Sequence, residues 1–455
     1  MKPFRNILET IGKTPLVQIT RLDTGPCELF LKLENQNPGG SIKDRIALSM
    51  IEAAERDGSL KPGGTLIEAT AGNTGLGLAL VASQKGYRLT LIIPDKMAQE
   101  KIFHLRALGA DIRMTRSDVG KGHPEYYQDM AERLTAETPG AIYVNQFSNP
   151  ANPLAHETGT GPEIWEQMEH KVDAVVVGVG SGGTLSGIGR YMRRVSPATK
   201  MILADPKGSV LAPLVQTGRM TEAGSWLVEG IGEDFVPPNC DLSLVSEAFI
   251  VSDAESFATA RELLRKEAIL AGSSSGTLLT AALRYCRAQK TPHRVVTFVC
   301  DSGNKYLSKM FNDYWMLDQG LLAREQKGDL RDLIARRHAD RATVTVTPQD
   351  SLLIAYQRMK LYEISQLPVL DNGKVAGIID EADLLLAVYG HAGRYRDPVS
   401  SAMTGKVETV QAGDPLSRLV EIFRRDHAAL VMDGNVFLGL VTRIDLLNHL
   451  RRSIA

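Results

Sequence analysis

Residues 39–45 read Gly-Gly-Ser-Ile-Lys-Asp-Arg, which places Lys43 shortly after a flexible glycine pair and just before a helix that is predicted to begin at Asp44. The free N–H groups at a helix N-terminus disfavour the ammonium form of a lysine, and partial burial lowers its pKa further. An uncharged lysine is a nucleophile that forms a Schiff base with an aldehyde. The segment alone is a weak indication of this chemistry, because most lysines near helix starts are solvated.

Three further segments combine glycine or asparagine with hydroxyl side chains directly before a predicted helix: residues 70–75, 178–184 and 272–276. The three helices are predicted to begin at Leu76, Leu185 and Thr277. Such a segment presents backbone N–H groups at a helix N-terminus, where a carboxylate or a phosphate binds. Each segment by itself is equally typical of an ordinary turn or of a serine-rich helix cap.

The second of these segments also fits a dinucleotide site. Gly178, Gly180 and Gly183 match G-x-G-x-x-G, and Asp205 ends the next predicted strand. The dinucleotide fingerprint requires an acidic residue at this distance, roughly 20 residues further along the chain. A nicotinamide-dependent dehydrogenase is therefore one alternative, but it has no use for Lys43 or for residues 70–75. A phosphorylated aldehyde cofactor, by contrast, needs all four segments. One supplies the lysine that forms the imine, one binds the phosphate, one contacts the ring nitrogen and one binds the substrate carboxylate. The predicted cofactor is pyridoxal 5'-phosphate.

The four segments, in this order, resemble the fold-type II pyridoxal-phosphate enzymes, in particular the cysteine synthase and cystathionine β-synthase families. Residues 50–58, 152–156, 228–237 and 315–317 resemble the cystathionine β-synthases, whereas residues 146–147 and 160–165 resemble the cysteine synthases. The resemblance runs from about residue 5 to about residue 450. The animal synthases carry a haem segment before the catalytic core, and none is expected here because the core motif begins almost at residue 5.

The resemblance implies a role for individual side chains. Lys43 would hold the cofactor and then remove the Cα proton of the substrate. Asn73 would hold the ring hydroxyl and Ser274 would face the ring nitrogen. The phosphate would be held by Gly180, Ser181, Gly182, Gly183 and Thr184. The substrate carboxylate would be held by Thr70, Ala71, Thr74 and Gln146. Ala71 stands where the animal enzyme has serine, so one hydroxyl contact is expected to be lost.

The implied reaction is a β-replacement that condenses L-serine with L-homocysteine to cystathionine and water, with hydrogen sulfide released when cysteine replaces serine. We expect Glu229 to protonate the leaving hydroxyl of serine, which is a poor leaving group. A surface salt bridge is the simpler interpretation of this glutamate. Cysteine synthase is the alternative activity, and a non-catalytic sensor of adenosyl ligands is a weaker one.

Composition limits the classes of partner. The chain has 455 residues, 43% of them hydrophobic, and a formal net charge of −1. This balance gives no reason to expect nucleic acid or an anionic membrane as a partner. No apolar run of residues is long enough to span a membrane, and residues 1–6 lack a signal-peptide core. Cys27, Cys240, Cys286 and Cys300 are widely spaced, which favours reduced structural thiols in a cytoplasmic protein and predicts no metal site. A homodimer is expected from the resemblance.

The order of elements predicts the domains. Short apolar strands alternate with amphipathic helices over residues 1–317, which predicts an α/β domain with a mostly parallel sheet. Residues 318–341 are dense in both charges and are interpreted as an exposed linker with helical character. Two similar units follow at residues 342–396 and 397–455, each reading helix, strand, turn, strand, helix, and each too short to bury a core alone.

This repeat resembles the tandem CBS domains, which bind adenosyl compounds. The resemblance implies one regulatory adenosyl site, built from Thr442 and Asp445 of the second unit. The first unit has Asp380 in place of the threonine and adds Glu381, so its acidic cluster is expected to repel phosphates. We therefore expect S-adenosylmethionine, rather than ATP, as the effector.

Overall fold

The computed structural model describes residues 3–70, 72–95, 99–116, 118–120, 122–425 and 428–452. The chain divides into two compact units, Met1–Phe311 and Asn312–Ala455. The sequence interpretation placed this division slightly later, at residue 317. Each unit is described by itself below.

Two sheets form the frame of the first unit. Its strands are β1 (Leu16–Gln18), β2 (Glu28–Leu33), β3 (Thr65–Ala69), β4 (Arg88–Pro94), β5 (Asp111–Thr115), β6 (Ala141–Tyr143), β7 (Ala174–Val177), β8 (Lys200–Pro206), β9 (Val245–Val251) and β10 (Arg294–Val299). One sheet has the order β1-β2-β10-β7-β8-β9 and the other has the order β5-β4-β3-β6. All neighbours pair in parallel except β1 and β2. The prediction of an α/β domain with mostly parallel sheets is confirmed.

Helices connect and cover these strands. They are α1 (Lys43–Arg56), α2 (Asn73–Lys85), α3 (Gln99–Ala107), α4 (Tyr127–Glu137), α5 (Ala151–Ala155), α6 (Gly161–Gln167), α7 (Gly183–Val195), α8 (Leu211–Thr217), α9 (Asp253–Glu267), α10 (Ser273–Ala288) and α11 (Asp313–Asp318), the last of which lies in the second unit. The central strands β3 and β7 are buried at every position, because parallel sheets are covered on both faces.

Four helices begin earlier than their hydrophobic periodicity predicts. The predicted starts were Asp44, Leu76, Leu185 and Thr277, whereas α1, α2, α7 and α10 begin at Lys43, Asn73, Gly183 and Ser273. Several of the residues singled out in these segments, among them Asn73, Thr184 and Ser274, therefore lie in the first turns of helices. Polar first turns hide a helix start from a hydrophobic pattern, yet they carry the N–H groups that have no partner within the helix.

The second unit contains the predicted repeat. Its elements are α12 (Leu352–Tyr362), β11 (Gln366–Asp371), β12 (Lys374–Asp380), α13 (Glu381–Val388), β13 (Thr409–Gln411), α14 (Leu416–Phe423), β14 (Ala429–Asp433), β15 (Val436–Val441) and α15 (Arg443–Arg452). The order helix, strand, strand, helix occurs twice, as the sequence predicts.

The segment interpreted as a linker is less exposed than its charges suggest. It contains a short 3-10 helix, Leu330–Leu333. Leu330, Leu333 and Ile334 are buried in the core that α14, β14 and α15 form. These three apolar side chains attach the segment to the second repeat. In the part of the chain that the structure describes, no helix combines the length and the apolar character needed to cross a membrane.

Candidate active site

A cavity of about 630 Å³ opens in the first unit beside the segments that follow β3, β6 and β7. The predicted residues that line it are Lys43, Thr70, Asn73, Thr74, Gln146, Gly180, Ser181 and Glu229. A smaller recess of about 40 Å³ shares some of these residues and adds Gly182, Thr184 and Ser274. The fold thus brings together segments that lie far apart in the sequence. Ala71, which was also predicted, lies outside the described residues.

Lys43 is the first residue of α1 and is partly buried. Burial lowers the pKa of its ammonium group, although Cys300, Glu233 and Asp301 favour the charged form. An amine held in this way is more readily uncharged than a solvated lysine. The position and environment of Lys43 are those that the sequence analysis expected.

The start of α1 is fixed by its neighbouring side chains. The Asp44 carboxylate accepts the Gly39 N–H at 2.6 Å, which closes the turn before Lys43. The Arg45 guanidinium donates to both oxygens of Glu34, at 2.7 and 2.9 Å, and to both oxygens of Glu163, at 2.7 Å each. Because these groups are largely buried, the turn that carries Lys43 is held by charge-assisted hydrogen bonds from two other parts of the chain.

The glycine segment before α7 accepts only glycine at two positions. Gly182 has a φ of +86°, and a Cβ atom there would approach Cys240 to 2.6 Å. A Cβ atom on Gly183 would lie 1.9 Å from Oδ1 of Asn152. The close packing keeps the backbone N–H groups at the start of α7 bare, as a phosphate site needs. The residues present therefore fit the phosphate of pyridoxal phosphate.

Two side chains that the sequence analysis gave no role support this segment. Nδ2 of Asn152 donates to Ser181 Oγ at 2.9 Å, and Nε2 of His156 lies 3.3 Å from Thr184 Oγ1. Burial lowers the pKa of His156 well below its usual value, so the ring is neutral and orients the threonine hydroxyl. Residues 152–156 had been noted only as a family resemblance, and that was the available signal.

The predicted carboxylate site contains one direct contact. The Thr74 hydroxyl donates to Gln146 Oε1 at 2.7 Å, and Thr70 Oγ1 accepts the Gly72 N–H at 3.3 Å. The first contact leaves the Gln146 amide N–H groups to donate to a substrate carboxylate.

Ser274 lies in the first turn of α10, where the ring-nitrogen partner was predicted. It hydrogen-bonds the Cys300 thiol, whose pKa burial raises to about 12. The partners near this end of the recess are thus an alcohol and a thiol, both neutral. A ring nitrogen that meets neutral groups is not driven to take up a proton.

Glu229 lies between two lysines that the sequence analysis did not identify. Its carboxylate binds Lys101 Nζ and, at 2.7 Å, Lys309 Nζ. Burial alone would raise the pKa of Glu229, but the two ammonium groups outweigh that effect and hold the pKa below its usual value. The structure does not favour the predicted general-acid role, because this carboxylate carries no proton to donate at neutral pH.

A second glutamate in the same segment has the opposite environment. Glu233 lines the same cavity, and its Oε1 atom would lie 3.9 Å from a Cβ atom placed on Gly180. Burial, followed by the nearby Asp234, raises the pKa of Glu233 well above its usual value. Glu233 is therefore more readily protonated than a solvated glutamate, and it lines the same cavity as Lys43. The sequence offered only its place in residues 228–237 as a signal.

Asp205, the acidic residue of the dinucleotide alternative, is fully buried. Its Oδ2 atom accepts the Ala212 N–H at 2.8 Å in the first turn of α8. Asp205 thus serves a helix start and is not presented to a ribose. The dehydrogenase interpretation is not supported.

In the second unit, a cleft of about 720 Å³ is lined by both repeats. Thr442 and Asp445 line it, but they also bind each other, because the Thr442 N–H and hydroxyl donate to Asp445 Oδ2 at 2.7 and 2.6 Å. Asp380 and Glu381 of the first repeat line the same cleft. The predicted site and the predicted acidic cluster therefore face one shared space.

Comparisons with known proteins agree with this geometry. Residues 7–301 match the family described as pyridoxal-phosphate dependent enzyme, and residues 331–390 and 399–452 match the CBS domain. Cystathionine beta-synthase of Rattus norvegicus is 39% identical over 96% of this chain and 79% of its own length. That of Apis mellifera is 36% identical over 99% of this chain and 92% of its own length.

Two other similar proteins match about two thirds of this chain each. Cysteine synthase A of Escherichia coli is 40% identical over 68% of this chain and 95% of its own length. A crystal structure of a hydrogen sulfide-producing enzyme from Fusobacterium nucleatum is 36% identical, with a TM-score of 0.63, and covers 67% of this chain and all of its own. The match to the cystathionine beta-synthases, by contrast, includes the repeats. The chain belongs to the pyridoxal-phosphate dependent enzymes and, over nearly its whole length, to the cystathionine β-synthase family.

Proposed function

We propose that this protein condenses L-serine with L-homocysteine to L-cystathionine and water, and that it releases hydrogen sulfide when L-cysteine takes the place of serine. The observation that carries the proposal is the placement of Lys43. Lys43 lies at the start of α1, and its pKa is lowered. The same cavity is lined by Gly180 of the glycine segment, by the amide side chains Asn73 and Gln146, and by Glu229 and Glu233. Similarity to cystathionine beta-synthases along nearly the whole chain supports the same activity.

When bound, pyridoxal phosphate supplies the aldehyde that captures an amino acid and the ring that withdraws electrons from its Cα–H bond. Lys43 Nζ would hold the cofactor and would accept the Cα proton of the amino acid. Thr74 and Gln146 would bind the carboxylate and so orient the Cα–H bond. The N–H groups at the start of α7 would hold the phosphate, and Asn73 and Ser274 would contact the ring.

The departing hydroxyl of serine needs a proton, and we assign its donor to Glu233 rather than Glu229. Two carboxyls whose environments push their pKa values apart have different roles. Burial raises the pKa of Glu233, whereas Lys101 and Lys309 hold the pKa of Glu229 below its usual value. Glu229 then positions the two ammonium groups at the cavity wall.

Cysteine synthase is the second candidate activity, supported by the identity to cysteine synthase A over the first unit. The test is an assay of the purified, cofactor-loaded chain with three substrate pairs: serine with homocysteine, cysteine with homocysteine, and O-acetylserine with sulfide. Cystathionine as the main product from the first pair, together with sulfide from the second, supports the proposal. A rate with O-acetylserine and sulfide that exceeds both would favour cysteine synthase instead.

We further propose that the cleft of the second unit binds an uncharged or cationic adenosyl compound. Glu363, Asp380, Glu381 and Asp445 line this cleft, against Arg336 and Arg443. The acidic excess disfavours a triphosphate and favours the sulfonium of S-adenosylmethionine. The predicted homodimer has its own test, which is the mass of the protein in solution by light scattering.

A further inference from the structure

One buried lysine joins the turn before Lys43 to the cofactor residue Asn73. Nζ of Lys305 donates to Gly39 O at 3.1 Å, to Gly40 O at 3.2 Å and to Asn73 Oδ1 at 2.7 Å. An ammonium group has three N–H donors, and these acceptors match them in number. Lys305 is 9% exposed, and it lies 232 residues after Asn73 in the sequence. No pattern of spacing connects the two.

Lys305 also decides which way the Asn73 amide faces. Because an ammonium only donates, the amide atom that it meets must be the oxygen. The amide nitrogen then faces Asp301 and donates to its Oδ2 atom at 2.8 Å. The same oxygen accepts the Tyr306 hydroxyl at 2.7 Å, which fixes the carboxylate in turn. One N–H of Asn73 remains, and Asn73 lines both the cavity and the recess.

The charge of Lys305 is balanced inside this network. Burial lowers its pKa, while the carboxylates of Asp301 and Asp44 favour the ammonium form and Lys101 opposes it. A cation 2.7 Å from the amide oxygen polarises the amide and strengthens its N–H groups as donors.

We propose that Lys305 is a positioning residue that sets the donor strength and orientation of Asn73 toward the ring oxygen of the cofactor while it anchors the turn before Lys43. The proposal rests on the role assigned to Asn73 above. It predicts that Lys305 acts on the cofactor mainly through Asn73. A ring oxygen that loses a strong N–H donor keeps its own proton, so the bound cofactor then absorbs less visible and more near-ultraviolet light.

The experiment compares Lys305→Met, Asn73→Ala and the double variant in the full chain. We measure the ratio of visible to near-ultraviolet absorbance of the bound cofactor and the dissociation constant of pyridoxal phosphate. We expect Lys305→Met to lower the ratio and to weaken cofactor binding roughly tenfold or more, as for a lost charged hydrogen bond. In the Asn73→Ala background, the same change should move the ratio little further.

Lys266→Met is the control, because Lys266 makes a local, partly exposed pair with Glu262 and does not line the cavity. It should leave the absorbance ratio unchanged. If Lys305→Met does not fold, Lys305→Gln takes its place in the comparison of single and double variants. An unchanged ratio in the Lys305 variant, or an equal change with and without Asn73, would overturn the proposal. A wild-type protein that binds the cofactor but makes no cystathionine would instead refute the proposed function, since the absorbance comparison needs only bound cofactor.

Discussion

The active-site cavity and the cleft of the second unit hold their polar groups in different ways. In the cavity, partners lie far apart in sequence, as in the Asn73–Asp301 contact across 228 residues and the Thr74–Gln146 contact across 72. In the cleft, Thr442 binds Asp445 and Asp380 binds Asp383, each pair three residues apart. The cavity depends on tertiary structure for its geometry, whereas the cleft carries much of its geometry in local turns. Substitutions in the two regions should therefore differ in how far their effects spread.

The largest effect is expected at Lys43. In Lys43→Ala, the group that both attaches the cofactor and moves the Cα proton is lost, so turnover should fall by at least about a thousandfold. Borohydride reduction should fix the cofactor to the wild-type chain and not to the variant, as measured by mass spectrometry of peptides. Attachment to another lysine would refute this assignment of the active site.

A second substitution compares the two kinds of polar contact directly. Arg45→Met removes the guanidinium that lies between Glu34 and Glu163. The buried Glu34 carboxylate then loses its ion pair, whereas Glu163 keeps its pair with Lys32. We expect a loss of about 3–5 kcal/mol in the free energy of unfolding. The control, Arg394→Met, removes a local pair with Asp397 that is near the surface, and should cost about 0.5 kcal/mol or less. Similar losses in the two denaturation curves would contradict the distinction between buried long-range contacts and exposed local contacts.

Substitutions of the two glutamates of the cavity should differ in how strongly their effect depends on the first substrate. Glu233→Gln removes a proton donor, so its rate with serine should fall about a hundredfold while its rate with O-acetylserine, which has a better leaving group, falls much less. Glu229→Gln loses a charge partner of Lys101 and Lys309 and should affect both first substrates equally. Steady-state kinetics with each substrate decides the assignment. A loss confined to serine in Glu229→Gln would restore the general-acid role first predicted for Glu229.

The smallest and most local effects are expected in the cleft. Asp445→Ala and Asp383→Ala are a matched pair, because each carboxylate accepts a backbone N–H three residues earlier, from Thr442 and Asp380 respectively. Both should lose about 1 kcal/mol of helix capping. Calorimetric titration of the full chain with S-adenosylmethionine should show roughly tenfold weaker binding in Asp445→Ala alone. Weakening only in Asp383→Ala, or tighter binding of ATP by the wild type, would contradict the proposed site.

The sequence determined the fold class, the order of strands and helices, and the repeat, because these follow from hydrophobic periodicity. It also brought out Lys43 and the residues of the glycine segment, since their types have a chemical meaning at the start of a helix. The helix starts themselves were placed up to four residues too late, at Leu185 and Thr277 among others, because polar first turns carry no apolar signal.

Only the tertiary structure decided which charged groups meet. Glu229 and Glu233 are the same residue type in one short segment, yet Lys101 and Lys309 lower the pKa of Glu229 while burial raises the pKa of Glu233. The same holds for Lys305, whose three acceptors come from segments that only the folded chain brings together. A pKa depends on the distances between charged groups and on their burial, and neither can be read from the order of residues. The chemistry of each residue type therefore comes from the sequence, and the protonation state in which it works comes from the fold.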